Sequence, residues 1–485
     1  MTAPSSNLVI IMSDEHQARA IGCAGHPIVQ TPNIDKLAAE GIRFEAAYTA
    51  SPICVPARAA FITGFPIHKT GYWCNAHPYE GKVKGWGHRL QETGHHVISI
   101  GKLHYRNEED PTGFDAQVLP MHVLDGIGDV MGAVRDKLPE RHQTKLLSEK
   151  IGPGNSSYIK YDQQITANAI QWLINEAPKI DRPWVVYVSL VCPHFPLIAP
   201  RKFFDIYPKD IIPAPRDRPK EGVTRHPWIE KQASCQIYDR FFNEETRRIA
   251  ISSYYGLCSF LDDNIGKIIN TLDKTGLKNS TRIIYTSDHG ENLGVRGLWG
   301  KSNMYEESAA IPLILCGPDV PSGKTVKTAV SLLDAYPTIL ECVGEQAAIE
   351  DMSRPGKSLL RIVDVEDDPK RTIFAEYHAV GAPTGVFLIR KGCYKLIHYV
   401  DYDPELFDIE SDPLEKKDLA SNPKYISVLN DLQRELSSIC NPKEVDNRAK
   451  KDQAALVEKH GGRDAVIEAF NNFSGTPAPG QKTVQ

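Results

Sequence analysis

"NLVIIMSDEHQ", residues 7–17, decides the fold. An unbroken apolar run, Leu8 to Met12, is followed at once by Ser13 and two carboxylates, Asp14 and Glu15. A short continuous apolar run predicts a strand buried on both faces, as strands of parallel sheets are. "RIIYTSDHG" (282–290) repeats the arrangement, with Asp288 and His289 after the run. "HHVISIGK" (95–102), "WVVYVSLV" (184–191) and "IPLILCG" (311–317) are further buried-strand candidates, and "RFEAAYT" (43–49) reads as one more strand. Helix signals lie between them. "TPNIDKLAAEG" (31–41) has Thr31 as a cap, Pro32 in the first turn and Gly41 as a stop. Residues 247–276 keep a long helical period, and "LLDAYPTILECVG" (332–344) is helical. Apolar strands alternating with helices predict an α/β fold: a large, mostly parallel sheet flanked by helices on both faces.

Outward from that sheet the pattern changes. Residues 105–160 and the proline-rich 193–235 lack a clear period and read as long excursions over the sheet, where site walls commonly lie. After about residue 365, "RTIFAEYH", "GVFLIRKG" and "YKLIHYV" come at hairpin spacing, and 415–439 is helical. This predicts a small antiparallel sheet with one helix. The expected division is a catalytic domain over 1–365, a small C-terminal unit over 366–445 and a polar tail over 446–485. The tail has no core of its own but carries an amphipathic segment around Ala455–Phe470, whose apolar stripe needs a cover.

Composition excludes several classes. Sixty-one acidic against 56 basic residues give net −5, with no basic block for nucleic acid and no Lys/Arg-rich amphipathic helix for a membrane surface. The opening sixteen residues lack a positive n-region, and their apolar run is too short for a signal peptide. Ten cysteines without CxxC pairs read as reduced thiols, so a cytoplasmic protein is expected.

Four strand ends carry the chemistry, because ligands of open α/β sheets sit at the carboxyl ends of the strands. Asp14–Glu15 and Asp288–His289 are two of them. Each pair alone also reads as a cap or Asx turn, but two acid-bearing strand ends in one sheet point to a shared metal site. "GKLHYR" gives Lys102 and His104, which alternate and so share a face in extended chain. "VCPHFP" sets His194 between two prolines. Lys301 follows in "LWGKSNMYEES". Together with Arg58 these cations suit a small anionic group such as sulfate or phosphate. Cys54 opens the predicted helix "CVPARAAFIT" (54–63), with Arg58 one turn on. A plain thiolate beside a hard, oxygen-rich metal site is an awkward match.

The pattern Cys54-Val55-Pro56-Ala57-Arg58 resembles the signature of the type I sulfatases of the alkaline phosphatase superfamily. The resemblance runs along most of the chain through "NLVIIMSDE", "TPNIDKLAAEGIRFEAAY", "ARAAFITG", "IGKLH", "PHFP", "SDHGENLG" and "GKSNMYEES", in the family's order, and lies nearest the choline-sulfatase and phosphonate monoester hydrolase branch. It implies an alkaline phosphatase-like fold and hydrolysis of a small sulfate ester through a covalent sulfo-enzyme. It implies that a formylglycine-generating enzyme oxidises Cys54 to formylglycine. It implies one divalent cation held by Asp14, Glu15, Cys54, Asp288 and His289, with Glu15 standing where many relatives have an aspartate. Mn²⁺ is expected over Ca²⁺, since an imidazole ligand is untypical of calcium. Arg58 is then expected to stabilise the hydrated nucleophile, and Lys102, His104, His194 and Lys301 to surround the sulfate. His104 is the base of the second step, His194 or Lys301 the acid of the first, and Asn75 contacts the anion. Relatives of the choline-sulfatase kind use C-terminal extensions at subunit contacts, which implies a homodimer or homotetramer with the tail near a neighbour's site. Two rival functions are a phosphonate monoester or phosphodiester hydrolase of the same superfamily and a non-catalytic anion-binding protein. The Lys102-x-His104 pair leans toward the sulfatase.

Overall fold

The computed structural model describes residues 5–219, 225–471 and 475–481. Its main sheet has eight strands. From edge to edge they are Lys324–Val326, Gly41–Phe44, Leu313–Cys316, Thr281–Ser287, Asn7–Asp14, Trp184–Pro193, His96–Lys102 and Ala116–Met121. Every neighbouring pair is parallel except the two made by Leu313–Cys316, which runs antiparallel to both of its neighbours. The mostly parallel sheet expected from the apolar runs is therefore present.

Alternation within the central strand divides the core. Val9 and Ile11 pack with the helices Ser157–Asn175 and Glu244–Lys274 on one face. Leu8, Ile10 and Met12 pack on the other face with Cys54–Thr63 and Ala335–Cys342. Successive strand side chains point to opposite faces, so one apolar run feeds both layers. The long helix starts at a reciprocal cap in which Asn243 accepts from the Thr246 N–H and Thr246 accepts from the Asn243 N–H. Among the described residues no helix is long and apolar enough to cross a membrane.

The second sheet is the predicted antiparallel one: Thr372–Tyr377, Val386–Lys391, Tyr394–Tyr399 and Glu405–Asp408, in chain order. Its helix is Ile426–Ile439, which buries Leu429, Leu432 and Leu436. The same core takes in Ala60, Ile67 and Trp73, so this unit lies against the helix that begins at Cys54.

Three local readings change. "RFEAAYT" is two short strands, Gly41–Phe44 and Ala47–Tyr48, and the second pairs with Val330–Ser331 in another small sheet. The excursion after residue 105 contributes the edge strand Ala116–Met121. The tail does have a place in the core. Helix Pro442–Lys459 buries Val445, Asp446, Ala449, Gln453 and Val457 against its own chain, and Gly462–Phe470 buries Val466. Asp446 accepts from Arg135 at 3.2 Å and from the Gly385 N–H at 2.7 Å, which ties the tail to the body by buried polar bonds. The apolar stripe expected to need a cover finds it within the chain.

Candidate active site

Four adjacent parallel strands end together, and their carboxyl ends carry the site. Asp14 ends one strand and Asp288 follows its neighbour, in a register that sets Ser13 beside Ser287. His194 follows the strand on the other side, and Lys102 ends the next. The backbone turns sharply there: Glu15 and His104 have φ of 68° and 56°. Such left-handed residues are uncommon outside glycine and cluster where a side chain must be aimed.

Cys54 is the first residue of the helix Cys54–Thr63 and is 2% exposed. That helix stops at Gly64, whose φ of 70° suits glycine and whose N–H bonds the Ala60 carbonyl. The Cys54 Sγ lies 3.1 Å from His289 Nε2 and 3.6 Å from Asp14 Oδ1. His289 Nε2 lies 3.6 Å from Asp288 Oδ1. The ligand atoms of Asp14, Cys54, Asp288 and His289 all fall within 4.8 Å of one another, and all four residues are buried. His289 Nδ1 is 3.1 Å from the Gly290 carbonyl; donating there leaves the Nε2 lone pair aimed at the cluster.

Arg58 lies beneath this cluster, fully buried, with each of its nitrogens engaged. Its Nε donates to Asp288 Oδ2 at 2.8 Å and its Nη2 to Asp14 Oδ2 at 3.1 Å. Its Nη1 donates to the Lys102 carbonyl and to Ser189 Oγ at 2.9 and 2.8 Å. Lys102 Nζ takes Asp14 Oδ2 at 2.5 Å. One oxygen of each aspartate is thus occupied by cations, and the other faces the cluster. Burial alone would push the Asp14 carboxyl up, but Lys102, His194, Arg58 and His289 outweigh it and hold it well below the usual range.

Glu15 falls in a different group. Its carboxylate lies with Asp14 and His194 in a second buried set, and Lys301 Nζ sits among them, 2.8 Å from Glu15 Oε2 and 3.0 Å from His194 Nε2. Asp14 therefore belongs to two potential ligand sets, one with Cys54, Asp288 and His289 and one with Glu15 and His194, and Glu15 also pairs with Lys301. Asn75 Oδ1 accepts the Val55 N–H at 3.2 Å, beside Cys54 at the helix start.

A cavity of about 130 Å³ opens over Cys54, lined by Lys102, His104, His194, Lys301 and Asn75 among others. Every residue singled out from the strand ends for anion contact borders it. Much of the remaining wall comes from the excursion 105–160 read as a site wall, Arg141 and Tyr158 among it, while Tyr238 and the tail residues Gly475 and Thr476 of this same chain were not singled out. No local period or motif marks these positions. Burial, and then Asp14, push the Cys54 thiol up to about 12, so the unmodified side chain is a neutral thiol near pH 7. Burial, with Lys102 and Arg58 nearby, holds the His104 imidazole well below its usual range, so it stands neutral and able to accept a proton.

A buried cysteine ringed by cations, beside carboxylates and an imidazole that could hold a metal ion at the strand ends of a helix-flanked sheet, fits a hydrolase of anionic esters on the alkaline phosphatase-like fold. Within that class the chain belongs to the sulfatase family. The sulfatase family profile matches residues 6–345, and that of the N-sulphoglucosamine sulphohydrolase C-terminal region matches 294–442. A choline-sulfatase of Rhizobium meliloti (strain 1021) is 31% identical over 444 residues, covering 87% of this chain and 84% of that protein. Arylsulfatase K of Danio rerio is 29% identical over 463 residues, covering 89% and 83%. The crystal structure of phosphonate monoester hydrolase of Agrobacterium radiobacter superposes with a TM-score of 0.70 at 21% identity, covering 89% of this chain and 95% of that one. The last likeness speaks to the fold. The family makes the chain a sulfuric ester hydrolase.

Proposed function

We propose that the chain hydrolyses small sulfate esters with one divalent cation and with Cys54 oxidised to formylglycine. The observation that carries this reading is the buried foursome of Asp14, Cys54, Asp288 and His289 within 4.8 Å. Its donors suit a divalent cation: two carboxylate oxygens, an imidazole nitrogen and position 54, which presents oxygen in place of sulfur once oxidised. The imidazole favours Mn²⁺ over Ca²⁺. When bound, the cation supplies Lewis-acid stabilisation of negative charge at position 54 and on the sulfate.

The chain's own groups divide the remaining work. Lys102 and Lys301 border the cavity and neutralise the oxygens of the transferring group, and Asn75 contacts one of them. Lys301 and His194, 3.0 Å apart, deliver a proton to the departing alcohol oxygen. Glu15 keeps Lys301 in place. Arg58 acts on position 54 through Asp14 and Asp288, whose outer oxygens it fixes. His104 takes the proton from a hydroxyl of position 54 in the second step, when sulfate leaves. A thiol held neutral by burial supports the need for oxidation. These groups fall within residues 1–365, which we take as the catalytic domain, with 366–445 as a supporting unit and 446–485 as its tail.

Protein from its native host is expected to yield a residue-54 peptide carrying an aldehyde, the product of a formylglycine-generating enzyme. Elemental analysis of the same sample is expected to find one Mn²⁺ per chain. An unmodified thiol overturns the first part; stoichiometric Ca²⁺ without a transition metal overturns the second.

We also assign the chain a homodimeric or homotetrameric state in the cytoplasm. Ile349 and Met352, exposed on one turn, support a subunit contact. Ten cysteines, none of them in a disulfide, support a reducing compartment. A molar mass of one chain by light scattering would remove the assembly.

A further inference from the structure

The tail segment Gly475–Gln481 returns to the active site of its own chain. Gly475 and Thr476 form part of the cavity wall over Cys54. Thr476 is buried, and Ala478 is packed into the core on the long-helix face of the main sheet. The Gln481 N–H closes a turn onto the Ala478 carbonyl at 3.0 Å. The Tyr158 hydroxyl donates to the Thr476 carbonyl. The Thr476 hydroxyl, Oγ1, lies 2.9 Å from His104 Nε2, across 372 positions of sequence.

That contact is the one hydrogen bond of the His104 ring among the described residues. Its other nitrogen, Nδ1, is buried without a partner. A histidine's tautomer and ring angle are set by the bond that its second nitrogen makes. A hydroxyl can accept from an imidazole N–H or donate to a bare nitrogen. Only the first arrangement leaves Nδ1 with a free lone pair, as a base requires.

We infer that Thr476 is a positioning residue: its hydroxyl accepts the Nε2–H of His104, and the tail so holds the ring with Nδ1 as the nitrogen free to take a proton. The inference rests on the reading of His104 as a base. It adds that this base is completed by a segment from the far end of the chain. Tyr158 extends the hold by fixing the Thr476 backbone.

The test uses the full-length, metal-loaded protein with the state of residue 54 confirmed by mass. Thr476→Val removes the hydroxyl at nearly constant volume, and Thr476→Ser keeps it. Thr476→Val is expected to lower kcat roughly 10- to 100-fold, the usual effect of losing an orienting partner, with KM little changed. Thr476→Ser is expected to stay within a few-fold of the parent. In ¹⁵N-histidine spectra, His104, assigned through His104→Gln, is expected as the Nε2–H tautomer in the parent and in Thr476→Ser, and as a mixture in Thr476→Val. Parent-like kcat in Thr476→Val overturns the inference. So does equal impairment of the Val and Ser variants, or a parent tautomer protonated at Nδ1. Should Thr476→Val fail to fold, Tyr158→Phe reads the same tautomer signal, with a shift toward the mixture expected and an unchanged signal overturning the inference. His104→Ala, run in parallel, should release one alcohol per site in a burst while sulfate lags. Absence of that burst counts against the role of His104, and the tautomer readout still decides the hold of Thr476.

Discussion

Cys54→Ala is expected to lower turnover by on the order of 10⁴–10⁶-fold, the scale on which removal of a nucleophile acts. The fold should survive. Cys54 is the first residue of a ten-residue helix, where alanine is well tolerated, and the change removes only the sulfur, or the oxygen that replaces it, from a buried position. Asp14, Asp288 and His289 remain of the proposed ligand set, and three protein ligands are what catalytic metal sites often keep. Unchanged circular dichroism, retained metal by elemental analysis and absent turnover would together assign the loss to the reacting residue. Hydrolysis above a trace by a clean preparation would remove Cys54 from that role. The thiol itself gives the reason to expect so large an effect. It is held neutral by burial and by Asp14, so on the proposed reading the parent's activity depends on what position 54 becomes rather than on sulfur chemistry that a neighbouring group might replace.

The site was legible in the sequence where it depends on strand ends. A strand buried on both faces is mostly apolar, so the charged residues at or just past the ends of the strands 7–14, 96–102, 184–193 and 281–287 stand out, and parallel pairing aligns those ends. Edge and break positions lacked that contrast. Ala116–Met121 is half-buried, includes Pro120, and bends at Leu119 with φ of 51°, so its composition resembles a loop. The amphipathic segment read as one piece over Ala455–Phe470 divides because Gly461 and Gly462 both take positive φ, 94° and 84°, ending one helix and starting another. Side-chain partnerships were legible only in part. Spacing placed Arg58 one helical turn from Cys54, yet its engagement of both Asp14 and Asp288 arises from three separate strand and helix ends meeting. Glu15 shows the same limit. It is adjacent to Asp14 in sequence, and past the backbone turn at φ 68° its carboxylate pairs with Lys301 in a buried set that shares Asp14 with the foursome. Thr476 had no signal at all, because a polar tail carries no period to betray which of its hydroxyls will be buried.

Arg58→Met is expected to destabilise the metal-free protein by about 3–5 kcal/mol, the cost of leaving a buried charge without its partner. Arg58, Asp14 and Asp288 are all fully buried, so no water can replace the guanidinium. Methionine fills much of the volume but supplies no charge and no donor. It leaves Asp14 with Lys102 as its remaining buried cation contact, and it strips Asp288 Oδ2 of its salt bridge. The Lys102 carbonyl and Ser189 Oγ lose a donor as well. A divalent cation at Asp14, Cys54, Asp288 and His289 would restore positive charge to the same two carboxylates. Binding that favours the folded state raises stability by linkage. Thermal melts in chelator and in saturating Mn²⁺ should therefore show a larger metal-induced rise for Arg58→Met than for the parent. Turnover should stay low even with metal, because the cation cannot hold the outer oxygens of the aspartates as the guanidinium fork does. A variant that melts with the parent in chelator would mean that the guanidinium's contacts with the two carboxylates do not hold the folded protein together, and the electrostatic account of the site would have to be rebuilt. A variant that is destabilised but gains no more from Mn²⁺ than the parent would place the cation elsewhere than beside Arg58's two partners.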